Sequence, residues 1–169
     1  MFRSLSRWTL DWSRSAHAAW ALGVVSFVES SVFPIPTEVL FVPMCLTQPH
    51  RALRYGAIAG VMSVLGGIFG WCIGYFAFDL IARPILNFYD AMPAFEALKD
   101  ATGTGTILLM LVTSGLAHLP PMKVVTILSG ALGFSLPLFI LAAVVARGAK
   151  FMALGWVLKT YGPALADVI

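Results

Sequence analysis

Two proline-broken apolar segments constrain this chain more than any other feature. The first reads Phe33-Pro34-Ile35-Pro36-Thr37-Glu38-Val39, and the second reads Leu119-Pro120-Pro121-Met122-Lys123-Val124. In each, a charge follows the last proline by two residues. Pro36-x-Glu38 aligns with Pro121-x-Lys123 at an offset of 85 residues. Proline removes a backbone donor and interrupts a helix. Freed backbone groups and charges are costly in apolar surroundings unless they line a protein-walled or wet cavity. A matched pair of such breaks in two halves of a chain points to a binding site between repeats.

Composition sets the surroundings. Of 169 residues, 59% are hydrophobic and 11% charged, and the mean hydropathy is +0.88. A soluble domain carries about 25% charged residues. The expectation is one integral membrane domain over residues 1–169, with no separate catalytic domain. A cleavable leader is not expected, because the apolar run from Ala16 is too long and holds prolines and acids. Cys45 and Cys72 lie in apolar stretches and read as free packing residues. No metal-ligand spacing, phosphate-cradling loop or nucleophile elbow is present. The chain is therefore expected to be no enzyme, and to use no cofactor, metal or nucleic acid.

Charge placement divides the chain. Residues 1–15 mix Arg3, Arg7 and Arg14 with Phe2, Leu5, Trp8, Leu10 and Trp12, as a basic amphipathic surface helix does. Residues 16–47 are too long for one straight span, and Pro34 and Pro36 split them. A re-entrant hairpin is expected there, with both flanks basic and cytoplasmic. Residues 55–78 form a 24-residue run without a charged side chain, expected to span the membrane. Gly66, Gly67, Gly70 and Gly74 lie along it, and Gly148 later, as helix-packing positions. Residues 79–101 carry four acids against two basic residues and read as an outer amphipathic connection. Residues 102–131 form a second hairpin, broken by Pro120 and Pro121. Residues 135–158 form a second transmembrane helix, and Gly162-Pro163 is expected to stop it. Gly66-Gly67 and Gly74-Tyr75 align with Arg147-Gly148 and Gly155-Trp156 at an offset of 81. The expected fold is thus an all-α integral membrane inverted repeat. Each half is a proline-broken re-entrant hairpin plus a transmembrane helix.

The residues that carry a family resemblance are Phe27-Val28-Glu29-Ser30-Ser31, Phe33 to Leu40, Gly66-Gly67, Gly74-Tyr75, Pro120-Pro121-x-Lys123, Ser129-Gly130 and Arg147-Gly148. Over roughly residues 20–160 the chain resembles the DedA family of the VTT, or SNARE-associated, superfamily, in its short branch. The resemblance implies paired re-entrant hairpins and movement of lipids, notably undecaprenyl phosphate, coupled to protons or sodium. It implies coupling acids at Glu29 and Glu38 and a headgroup cation at Lys123. Ala117 or His118 stands where the family carries a first arginine. Arg147 is the candidate to supply that charge from the last helix.

The residues support this chemistry on their own terms. Glu29 and Glu38 flank the first break, where burial disfavours an isolated carboxylate and favours proton exchange. Lys123 and Arg147 are candidate buried cations for a phosphate, and His118 is a candidate relay or phosphate contact. The structural alternatives are a Glu38–Lys123 pair, Glu29 capping a helix end, a snorkelling Arg147 and a satisfied core His118. Lys150 and Lys159 read as anchors of the last helix end. The expected function is translocation of an anionic lipid, undecaprenyl phosphate or a phospholipid, between leaflets of the bacterial inner membrane. The N-terminus is expected in the cytoplasm, and the small enclosed volume leaves room for a homodimer. The alternatives are a small-ion or solute secondary transporter, or a non-transporting scaffold.

Overall fold

A computed structural model describes residues 17–31, 36–100, 103–117 and 122–166. The expected amphipathic helix over 1–15 and both hairpin tips, with Pro34, His118, Pro120 and Pro121, lie outside the described residues. Among the described residues the chain is all helical, with no strand. Its helices are α1 (Ala18–Ser31), α2 (Glu38–Thr47), α3 (Ala52–Phe76), α4 (Arg83–Phe88), α5 (Met92–Asp100), α6 (Thr104–Ala117), α7 (Met122–Ala131), α8 (Leu136–Ala143) and α9 (Ala149–Ala166). A 3-10 turn, Pro49–Arg51, leads into α3, and a π turn, Val144–Gly148, joins α8 to α9. Two helices, Pro49–Phe76 and Leu136–Gly162, are long and apolar enough to cross a membrane.

The local chemistry explains most boundaries. Pro137 stands in the first turn of α8, where its missing N–H costs nothing. At the end of α7, Phe134 N–H donates to Ser129 and Gly133 N–H to Gly130. This Schellman closure needs the left-handed backbone that Gly133 supplies at φ 66°. The same closure ends α4 at Asp90, φ 50°, so the connection after α3 holds a π turn, Phe78–Ala82, and two short α-helices. One expectation is corrected: Gly162-Pro163 does not stop the last helix, which runs to Ala166. A proline removes one backbone bond, and this close to the end the final turn forms regardless.

Packing sets direction. Gly23 faces Met62 and Gly66 faces Phe27, a constant offset, so α1 runs along α3 in the same direction. Gly56 meets Phe151 and Gly155 meets Ala52, so α9 runs against α3. Phe41 lies at Gly155 and Leu46 at Gly162, so α2 follows α9. Helices α1 and α2 therefore run in opposite directions. Ser30 bonds Ser63 at 2.7 Å, so α1 ends near the middle of α3. Helix α7 also lies on α3, with Thr126 at Gly70 and Ile127 at Gly74. The second short helix of each half thus packs on the long helix of the other half.

These approaches depend on absent side chains. A Cβ on Gly66 would fall on the Phe27 carbonyl oxygen, one on Gly74 on that of Ile127, and one on Gly130 on that of Trp71. A Cβ on Gly67 would only touch the Phe139 ring, at 3.5 Å. Gly148 differs from its expected role. A Cβ there meets nothing within 4 Å, although Gly60 approaches its Cα closely.

Forcing a methyl into such a crossing costs about 1–3 kcal/mol. Gly74→Ala and Gly130→Ala are expected to lower the thermal unfolding temperature of the purified protein. Gly105→Ala, in a helix with open space around it, is expected to raise stability by up to about 1 kcal/mol. Equal effects at the three positions would remove close backbone approach as the packing principle.

Candidate functional site

Charges that apolar helices ordinarily exclude meet midway along both long helices. Glu29 is in the last turn of α1, and Glu38 opens α2. Arg147 sits on the π turn and Lys150 one turn later, at the start of α9. The turn adds a residue to the α8–α9 path. Such turns often occur where a helix must aim a side chain at a site.

Arg147 is fully buried, 0% exposed. None of its three guanidinium nitrogens has a hydrogen-bond partner among the described residues. Glu29 and Glu38 act on its charge from beyond hydrogen-bond reach. Lys150 Nζ donates to Glu38 Oε1 at 2.6 Å, an ion pair joining α2 to α9. Thr37 Oγ1 donates to Glu29 Oε2 at 2.5 Å across the first break. That bond links the end of α1 to the start of α2 and fixes one carboxylate oxygen.

Several other buried hydroxyls near these helices are satisfied locally. Ser26 donates to Leu22 O, Ser31 to Val28 O and Ser129 to Val125 O, each back onto its own helix. Helical Ser and Thr can satisfy themselves this way in apolar surroundings. The contrast isolates Arg147 as a buried donor group of a different kind, because a buried unpaired charge is far more costly than a hydroxyl.

The sequence candidates fare differently. Glu29, Glu38 and Arg147 are brought together. Pro36 precedes α2 at the first break, while Pro34 lies outside the described residues with the second proline pair and His118. Lys123 is the second residue of α7, but its side chain is outside the described residues. Lys150 is a correction: it pairs with Glu38 inside the fold instead of anchoring the helix end. Its spacing of three from Arg147, one helical face, is the signal that could have found it. Thr37 was equally legible as the residue between Pro36 and Glu38. An apolar groove of about 330 Å³ lies on another face of the same turn, lined by Gly56, Gly60, Val61, Val144, Gly148 and Met152.

Two bacterial proteins align with most of this chain. An uncharacterized protein of Haemophilus influenzae is 30% identical over 144 residues, covering 85% of this chain and 73% of its own length. An uncharacterized protein of Histophilus somni is 30% identical over 152 residues, covering 90% and 78%. This chain belongs to their family. No family model matches it, and no solved structure does. Among the described residues no group of His, Cys, Asp and Glu could hold a metal ion. What the described residues bring together is a buried guanidinium and, one turn away, a partly exposed ammonium–carboxylate pair.

Replacing a whole buried ion pair by apolar side chains of similar volume is often neutral or stabilising by about 1–4 kcal/mol, and a guanidinium without a hydrogen bond is less compensated than such a pair. Arg147→Met is expected to fold at least as stably as the parent in denaturant titration. Lys150→Ala is expected to lose about 1–3 kcal/mol, because it removes the hydrogen-bonded Lys150–Glu38 contact. Strong destabilisation by Arg147→Met would make the arginine a structural brace.

Proposed function

We propose that this protein is a multi-pass bacterial inner-membrane transporter that moves an anionic lipid between leaflets. The observation that carries the reading is Arg147, buried at mid-helix without a hydrogen-bond partner among the described residues. A fixed cation held so is made for an anion that comes and goes. A phosphate accepts two parallel N–H bonds from a guanidinium, which suits a headgroup. The groove bordering the same turn gives an apolar chain a place beside it.

The outer surface supports a lipid setting. Trp20, Phe76, Leu80 and Phe88 are each more than three-quarters exposed, and Val61, Leu109, Leu141 and Trp156 more than half. So much exposed apolar area is unusual for a protein facing water. Arg51, Arg54 and Lys159 are exposed at the end where α3 starts and α9 finishes. Asp79, Asp90, Glu96 and Asp100 lie in the connection after α3. By the positive-inside tendency the first end is cytoplasmic.

In this reading α1–α2 and α6–α7 are re-entrant hairpins of an inverted repeat. The crossed packing, α2 along α9 and α7 on α3, is what such symmetry produces. The resemblance to the DedA family supports the same architecture and a polyprenyl phosphate or phospholipid as substrate. Arg147 grips the phosphate, with Lys123 and His118 as further candidate contacts at the second break. Glu29 and Glu38 exchange protons or sodium as the headgroup passes. The lipid tail stays in the bilayer, so a chain of this size can serve a large substrate.

Proteoliposomes test the reading. Polyprenyl phosphate is expected to change leaflet faster than in empty liposomes, and faster still under a pH gradient. Glu29→Gln is expected to abolish the response to the gradient. Arg147→Gln is expected to reduce the rate at least about tenfold, the loss of one charge-assisted contact of about 1.4 kcal/mol or more. A folded wild-type protein no faster than empty liposomes would overturn the proposal.

A further inference from the structure

Lys150 and Arg147 are three residues apart and both face the two acidic short helices. Lys150 holds Glu38 at 2.6 Å, and Arg147 feels the charges of both Glu29 and Glu38. Yet the two cations are treated differently. Lys150 has a carboxylate in contact, whereas Arg147 has no hydrogen-bond partner among the described residues. The Lys150–Glu38 side chains are 14% and 28% exposed, so the pair stands at the rim of the site where solvent or headgroup reaches it.

We propose that Lys150 is the second cation of an anion site shared with Arg147, and that Glu38 closes the site by occupying Lys150 until an incoming phosphate displaces it. This rests on the reading that Arg147 receives an anion, and it adds the residue that controls access. Phosphate and carboxylate are chemically equivalent occupants of an ammonium's donors, since both are anionic oxygen acceptors. A carboxylate already in place is an internal competitor, and its removal raises apparent affinity by the cost of displacing it. The contact also ties α2 to α9. Displacing Glu38 therefore releases the polar tie between α2 and α9 near the point where Thr37 holds Glu29, while Phe41 and Leu46 keep the two helices packed. Anion binding and loosening of that tie become one event.

Phosphate binding to the purified full chain in nanodiscs tests the latch without any transport measurement. The probes are inorganic phosphate and dodecyl phosphate, titrated separately by calorimetry. Glu38→Gln is expected to tighten binding about tenfold. Lys150→Gln is expected to weaken it about tenfold, and the Glu38→Gln/Lys150→Gln double variant to bind like Lys150→Gln. Tightening for dodecyl phosphate alone marks a lipid-borne headgroup, and equal tightening for both marks free phosphate; either outcome upholds the latch. Unchanged or weaker binding in Glu38→Gln overturns it, leaving the pair a structural brace. Wild-type and variants that bind neither probe also overturn it. A second arm covers variants that fold poorly. Glu38→Asp keeps the charge but shortens the reach to Lys150. Dodecyl phosphate binding is expected to tighten severalfold; unchanged or weaker binding overturns the proposal. A latch that responds as expected in a protein that moves no lipid sinks only the transport reading.

Discussion

A guanidinium buried midway along two apolar helices is the constraint on which the rest of the structure depends. Taking such a charge out of water costs several kcal/mol even after relaxation. The fold meets this cost partly through the charges of Glu29 and Glu38 and without a hydrogen bond from any described residue. Both acids stand at the facing ends of two short helices, and those ends must reach Arg147 together. Thr37 ties one acid across the break, and Lys150 ties the other to the helix that carries Arg147.

Placing four charges at this depth requires tight packing around them, and that is the work of the glycines. At Gly66, Gly74 and Gly130 the neighbouring carbonyl oxygen occupies the volume a side chain would need. Close backbone contact keeps α1 and α7 against α3, while Gly56 and Gly155 bring α9 against its other side. Apolar clusters lie toward either end of the bundle: one includes Leu22, Phe41 and Phe151, and the other Ile73, Leu86 and Ile127. Arg147 is insulated between these apolar layers, whereas the Lys150–Glu38 pair reaches the rim, so burial strengthens interactions of the guanidinium most.

Much of the fold was legible because hydropathy and proline act locally. The helices before and after each break, the two long apolar helices and the acidic connection follow from runs of side chains and single breakers. The π turn at Val144–Gly148 was not legible: nothing in that run marks an extra residue. The helix running past Pro163 likewise follows from its position near a helix end, which composition does not report. Glu29, Glu38 and Arg147 stood out as charges in apolar runs. Lys150 did not, because the pairing of α2 with α9 is a tertiary fact, and a lysine near a helix end is ordinarily an anchor.

The difference between Lys150 and Arg147 also bears on why two kinds of cation occur together. A lysine is a compact point charge on a flexible stem, so it can exchange one carboxylate for another anion with little rearrangement. An arginine presents a rigid fork that is satisfied only by a planar or multi-oxygen partner, and a single distant carboxylate leaves it unfilled. Glu38 can therefore hold Lys150 without quenching Arg147. Were both positions lysine, either acid could fill them and the site would close on itself. Were both arginine, Glu38 would be gripped bidentately and would not leave. In the proposed site, this pair is the combination that lets one cation stay receptive while the other is reversibly occupied.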